Sequence, residues 1–117
     1  MKESVLKNKS FVLAIQSVTL YKHLINVNKE YVMSKQLLRS GTSVGANVRE
    51  AQCASSIKDF IYKLSISLKE CEETMYWLEL LEATNYIDLS TKDELYGSCK
   101  EVAKMLTSSI NTAKRKV

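Results

Sequence analysis

Between residues 57 and 78, Ile57, Ile61, Leu64, Leu68, Cys71, Met75 and Leu78 recur at alternating steps of four and three. That spacing places all seven on one stripe of an α-helix. A stripe this long cannot be buried by one helix, so the chain must supply partner helices of similar length. Proline is absent, and only three glycines punctuate the 117 residues. Neither Asn-Gly nor Asp-Gly occurs, so the two-residue hairpin signal is missing.

Three further stripes supply the partners. Phe11, Ala14, Val18, Tyr21 and Ile25 mark a first helix over about 10–26, with Ser10 as its expected N-cap. Met33, Leu37, Gly41, Val44, Val48 and Ala51 mark a second over 32–54. The long stripe predicts a third over 57–84, capped by Ser56 with Asp59. Leu95, Cys99, Val102, Leu106, Ile110 and Ala113 mark a fourth over 91–116, opened by Thr91 with Glu94. The short polar connections favour antiparallel neighbours. The predicted fold is therefore all-α, one antiparallel up-down four-helix bundle domain over 1–117.

Two glycines stand four residues apart in SGTSVGANVREAQ, residues 40–52. Glycine costs a helix about 1 kcal/mol against alanine. Gly41 lies on the apolar stripe and Gly45 one turn on. Both are read as points where another helix approaches closely. A phosphate-binding loop would need a strand-to-helix turn with a Gly-Lys-Ser/Thr ending, which is absent.

Helix 3 carries a second apolar set, Tyr62, Ile66, Trp77 and Leu80, on roughly its opposite face. In a monomeric bundle that face should be polar. The set is a candidate subunit interface, since aromatic residues are enriched at interface cores. The alternative is that Tyr62 and Trp77 cover the rim of their own core.

Function is less legible. The chain is 45% hydrophobic and 26% charged, with net charge +4. Residues 1–69 hold eleven Lys/Arg against four acids, residues 70–94 one against eight, and residues 95–117 five against one. Lys35, Arg39, Arg49, Lys58, Lys63, Lys69, Lys114, Arg115 and Lys116 are candidate phosphate contacts. A solvated helical surface, with the last three complementing a helix dipole, is the plainer reading.

The one histidine, His23, cannot supply a His-based metal cluster or a nucleophilic triad. No Glu-x-x-His motif supports a di-iron centre. The Arg-then-His pattern of some helical ribonucleases is absent, because Arg39, Arg49 and Arg115 all follow His23. Neither catalysis nor a cofactor is expected. Cys53, Cys71 and Cys99 form no CxxC pair and read as reduced core thiols. There is no 18-residue apolar span and no signal-peptide apolar run, so a cytoplasmic protein without membrane contact is expected.

The segment 34–81 resembles the bacterial four-helix bundle protein family, also called the 23S rRNA intervening-sequence protein family. Arg39-Ser40, Ser43, Ala46-Asn47 and Glu50-Ala51 fit its second helix. Asp59-Phe60, Lys63-Leu64, Ile66, Lys69-Glu70, Glu73 and Tyr76-Trp77-Leu78 fit its third. The resemblance implies an antiparallel bundle assembled into a homo-oligomeric ring, typically a pentamer, with no catalytic residues to carry over. Similar proteins are accessory subunits of diversity-generating retroelements, where a basic ring meets the reverse transcriptase and nucleic acid. The acidic stretch 70–94 departs from that pattern. It fits docking of this band against the basic surface of a neighbouring subunit. Two functions follow as expectations: a binding protein for structured RNA or a nucleoprotein partner, or a scaffold ring that binds protein alone.

Overall fold

The computed structural model describes residues 2–117. Four helices follow in order: α1 (Lys2–Asn26), α2 (Met33–Gln52), α3 (Ile57–Ala83) and α4 (Leu89–Lys114). Each packs on its neighbour in sequence, and α4 returns to α1 to close the square, with the diagonal pairs apart. Short turns between such long helices make every neighbouring pair antiparallel. The bundle measures 47 × 21 × 20 Å.

The core is a leucine-rich column through all four helices. Leu13, Leu24, Leu37, Leu64, Leu78, Leu81 and Leu106 are all fully buried. Cys71 and Cys99 join it across α3 and α4, with the Cys71 thiol 3.5 Å from the Cys99 carbonyl oxygen. The hydrogen bond with Cys71, added to burial, pushes the Cys99 thiol far above its ordinary range. These two thiols are core groups as expected. Cys53, at the end of α2, is exposed and does not belong to the core.

Helix α1 departs from expectation in length and phase. It begins near the start of the chain, so Ser10 lies inside it and caps nothing. The Ser10 hydroxyl donates to the Lys7 carbonyl at 3.1 Å. The buried line is Leu6, Ser10, Leu13, Ser17, Leu20 and Leu24, one residue away from the expected stripe. Phe11, at 52% exposure, lies outside it. The run Phe11-Val12-Leu13-Ala14-Ile15 is apolar all round, and two inward positions are serines. Hydrophobic periodicity therefore could not choose the phase.

Those serines explain the glycines. On α2, Gly41 and Gly45 are buried against Ser17 and Ser10 of α1. A Cβ on Gly41 would lie 2.7 Å from the Ser17 Cβ and closer still to its hydroxyl. A Cβ on Gly45 would lie 3.2 Å from the Ser10 carbonyl oxygen. Small residues continue onto the other side of α2. The Ser67 hydroxyl of α3 donates to the Val44 carbonyl at 2.7 Å, and the Thr74 hydroxyl to the Ser40 hydroxyl at 2.9 Å.

The helix starts use three devices. Val32 precedes α2 and offers no side-chain cap. Instead the buried Glu30 carboxylate accepts from the backbone N–H groups of Val32, Met33 and Ser34 at 3.2, 3.1 and 2.7 Å. For α3 the expected cap is present: Ser56 accepts from the Asp59 N–H at 3.0 Å, while Asp59 accepts from the Ser55 N–H at 3.2 Å. Helix α4 starts two residues before Thr91. Its N-cap is Asp88, whose carboxylate accepts from the Thr91 N–H at 2.8 Å. Thr91 is thus a recipient of the cap and not the cap itself. The α3–α4 turn is closed by Asn85 at φ 68°, a left-handed conformation that asparagine tolerates. There the Tyr86 N–H bonds to the Leu81 carbonyl and the Asn85 N–H to the Glu82 carbonyl, a Schellman closure.

Candidate nucleic-acid interface

Antiparallel order sorts the charges by height. The Lys9–Glu101 pair at 3.4 Å and the Lys63–Glu50 pair at 2.9 Å fix α1 against α4 and α3 against α2. The start of α1, the end of α2, the start of α3 and the end of α4 therefore share one end of the bundle. That end carries Lys7, Arg49, Lys58, Lys63, Lys114, Arg115 and Lys116. The opposite end receives the second half of α3, with Glu73, Glu79 and Glu82, and the start of α4, with Asp88, Asp93 and Glu94. The acidic stretch seen in the sequence becomes one end of a polarised molecule.

The nine candidate cations do not form one surface. Arg49, Lys58, Lys114, Arg115 and Lys116 gather at the basic end and are exposed, with no ion pair among the described residues. Arg49 stacks over the Phe11 ring at 5.3 Å, a contact that leaves its charge available. Lys69 is exposed midway along α3. Lys35, in the first turn of α2, stands near the acidic end.

Arg39 and Lys63 are committed inside the chain. The Arg39 guanidinium donates to Glu70 at 3.1 Å and pairs with Glu73, joining α2 to α3. Glu73 also accepts from the Trp77 indole N–H at 3.0 Å. The hydrogen bond and charge of Glu50 raise the Lys63 ammonium above its ordinary range. Neither cation is free to meet a phosphate without giving up a carboxylate. The sequence could not show this, because Arg39 and Glu73 are 34 residues apart.

The candidate interface on α3 is mixed in exposure. Tyr62 is exposed, while Ile66, Trp77 and Leu80 are half-buried. Trp77 packs on the core of its own bundle. Tyr76, which sequence reasoning left out of this set, is 56% exposed and meets the Trp77 ring edge-on with centroids 5.0 Å apart.

The surface also has concavities, of which two bear on the ends and sides described above. A shallow hollow of about 510 Å³ lies at the α2–α3 turn beside Lys58, lined by Ala51, Ser55, Ser56 and Phe60. A groove of about 470 Å³ runs between α1 and α4, lined by Ile15, Gln16, Thr19, His23, Thr91 and Glu94. No three metal-ligating side chains converge among the described residues. Among the described residues no helix is long and apolar enough to cross a membrane.

Fold and surface together define a small helical-bundle protein with opposite charge at its two ends. Residues 2–108 match the family described as 23S rRNA-intervening sequence protein, and the chain belongs to that family. It is also similar to a crystal structure from Bacteroides thetaiotaomicron, of a protein with unknown function from the S23 ribosomal protein family. The two are 53% identical, with a TM-score of 0.94, over 95% of this chain and 99% of that one. None of the curated proteins matches the chain.

Proposed function

We propose that the protein is a non-enzymatic, cytoplasmic, homo-oligomeric binding protein that contacts structured RNA, or a nucleoprotein partner, through its basic end. The carrying observation is the meeting of Arg49 of α2, Lys58 of α3, Lys114 of α4 and Arg115 and Lys116 just after it at that end. Exposed cations brought together by the fold attract phosphates and release counterions on binding. They position a backbone without reading its bases, so affinity falls steeply with salt and discriminates little between sequences. A homo-oligomeric ring, typically of five copies in the family the sequence resembles, would repeat the patch around its axis. Repetition raises avidity without new contacts.

The test is RNA titration across a salt series. Replacing Lys58, Lys114, Arg115 and Lys116 with Ala weakens binding and flattens its salt dependence. Arg39→Ala leaves RNA affinity unchanged and costs about 1 kcal/mol of stability or less, because its carboxylate partners are part-exposed. Absence of a saturable complex at moderate salt overturns the reading. The second function, a ring that binds protein alone, is favoured by one observation: Arg39 and Lys63 are spent on Glu70, Glu73 and Glu50 within the bundle.

A further inference from the structure

The outer ridge of α3 is basic over its first half. Lys58, Tyr62 and Lys69 follow at steps of four and seven, which places all three on one narrow stripe of the helix. All three are exposed, and neither lysine has an ion pair among the described residues. From Lys58 to Lys69 the helix rises about 16 Å. Beyond Lys69 the same ridge turns acidic at Glu72. The acids beside the basic half are engaged within the chain. Glu50 holds Lys63 at 2.9 Å, and Asp59 is turned back into the cap of α3, where it accepts from the Ser55 N–H at 3.2 Å. Lys58 stands at the basic end itself, so the ridge continues that surface down the side of the bundle.

Tyr62 is 62% exposed. The other exposed rings are occupied or lie elsewhere. Phe11 sits under the Arg49 guanidinium at 5.3 Å, and Tyr76 meets Trp77 in the acidic half of α3. Tyr31 and Tyr86 stand in the α1–α2 and α3–α4 turns, at the acidic end. The Tyr62 ring makes no aromatic or cation stack among the described residues. A single exposed tyrosine would call for no explanation. A free ring between two unpaired cations on one ridge does.

We propose that Tyr62 is a stacking platform for an unpaired nucleobase, with Lys58 and Lys69 holding phosphates on either side of it. This rests on the RNA-binding reading above and names the kind of RNA: one that offers unpaired nucleotides in a loop, a bulge or a single strand. Cations that track the backbone and a ring that takes the face of a base are the means by which proteins hold single strands. Bases inside a duplex are stacked on one another, whereas unpaired bases can be splayed out onto a ring. Charge selects this occupant, because the ring is bounded along its ridge by cations and the RNA backbone is the polyanion that complements them. Every base has a π-face, so the platform adds affinity without sequence preference. That agrees with cations that position a backbone without reading it.

The experiment titrates the whole chain with an unstructured RNA strand, and with the blunt duplex that strand forms with its complement, across a salt series. The variants are Tyr62→Ala, Tyr62→Phe, Tyr62→Trp and Lys69→Ala. Both positions are exposed, so helicity by circular dichroism and native mass by light scattering should match the parent. The expected result is that Tyr62→Ala lowers affinity for the strand by about 5- to 100-fold and leaves its salt slope and the duplex affinity unchanged. Tyr62→Phe and Tyr62→Trp bind as the parent does, since each keeps a ring. Lys69→Ala instead flattens the salt slope, because it removes a phosphate contact. A 2-aminopurine in the strand is quenched by the parent and not by Tyr62→Ala. Equal losses for strand and duplex, no loss for either, or a parent that binds only the duplex overturns the platform and leaves the RNA-binding reading standing. A Tyr62→Ala chain of altered native mass also overturns it, and assigns Tyr62 to the candidate subunit interface. A parent that binds neither RNA at low salt sinks the RNA-binding reading itself, and the platform with it.

Discussion

Each glycine of this chain has a different neighbour, and the three separate cleanly as experiments. Gly41 faces Ser17, Gly45 faces the Ser10 carbonyl, and Gly97 of α4 faces nothing within 4 Å. Alanine gains about 1 kcal/mol of helix propensity at any of them. At Gly97 nothing opposes that gain, so Gly97→Ala stabilises by about 1 kcal/mol. At Gly41 the Cβ forces α1 and α2 apart, and overpacking costs of about 1–3 kcal/mol outweigh the gain. Gly45→Ala falls between. Urea unfolding of the three variants checks the order, and a Gly41→Ala at least as stable as the parent would refute the close approach. The sequence showed where the backbone needed room, since Gly41 stood in an apolar stripe. It could not show what came close, because the partners are serines that the α1 stripe had left out.

Helix limits were legible wherever one residue type has one local role. Ser56 and Asp59 announced the start of α3 because their bonds span four residues. Helix α4 misled, since Asp88 and Thr91 both fit a cap and only backbone geometry selects Asp88. The start of α2 was read to within a residue, but its cap was not legible, for another reason. Glu30 lies outside the helix and folds its carboxylate back over three backbone N–H groups. Burial alone would raise its pKa, but the bonds from Ser34, Met33 and Val32 together outweigh this and hold it below its ordinary 4.5. A lowered folded-state pKa gives stability that is present above the ordinary value and lost as pH falls through the folded one. Glu30→Gln should therefore cost about 1 kcal/mol at neutral pH. The gap between variant and parent should close as the pH drops below the ordinary carboxylate range. A gap that stays constant down to strongly acidic pH would contradict the role of the charge. At the α3 seam, the stripe legible in sequence matches buried Leu64, Cys71, Met75 and Leu78, whereas Ile57 at its start is 39% exposed. There the stripe runs past the end of the bundle.

At the scale of the molecule, the helix count and their mutual packing followed from four stripes and short turns. The distribution of charge did not. Blocks of charge in a linear chain become ends or faces only once antiparallel packing stacks them, and that packing places Lys35, in the first turn of α2, toward the opposite end of the bundle from Lys114, Arg115 and Lys116. It also turns two nominal phosphate contacts, Arg39 and Lys63, into links between α2 and α3. What remains is a bundle with a cationic end, which the proposed homo-oligomer would display in several copies. Light scattering of the full chain, with and without a structured RNA and at low and moderate salt, tests that most directly. The account predicts a mass several times that of one 13.3 kDa chain, which rises with RNA at low salt and returns to its starting value as salt increases. A single-chain mass, or an oligomer whose mass ignores RNA at every salt concentration, would contradict it.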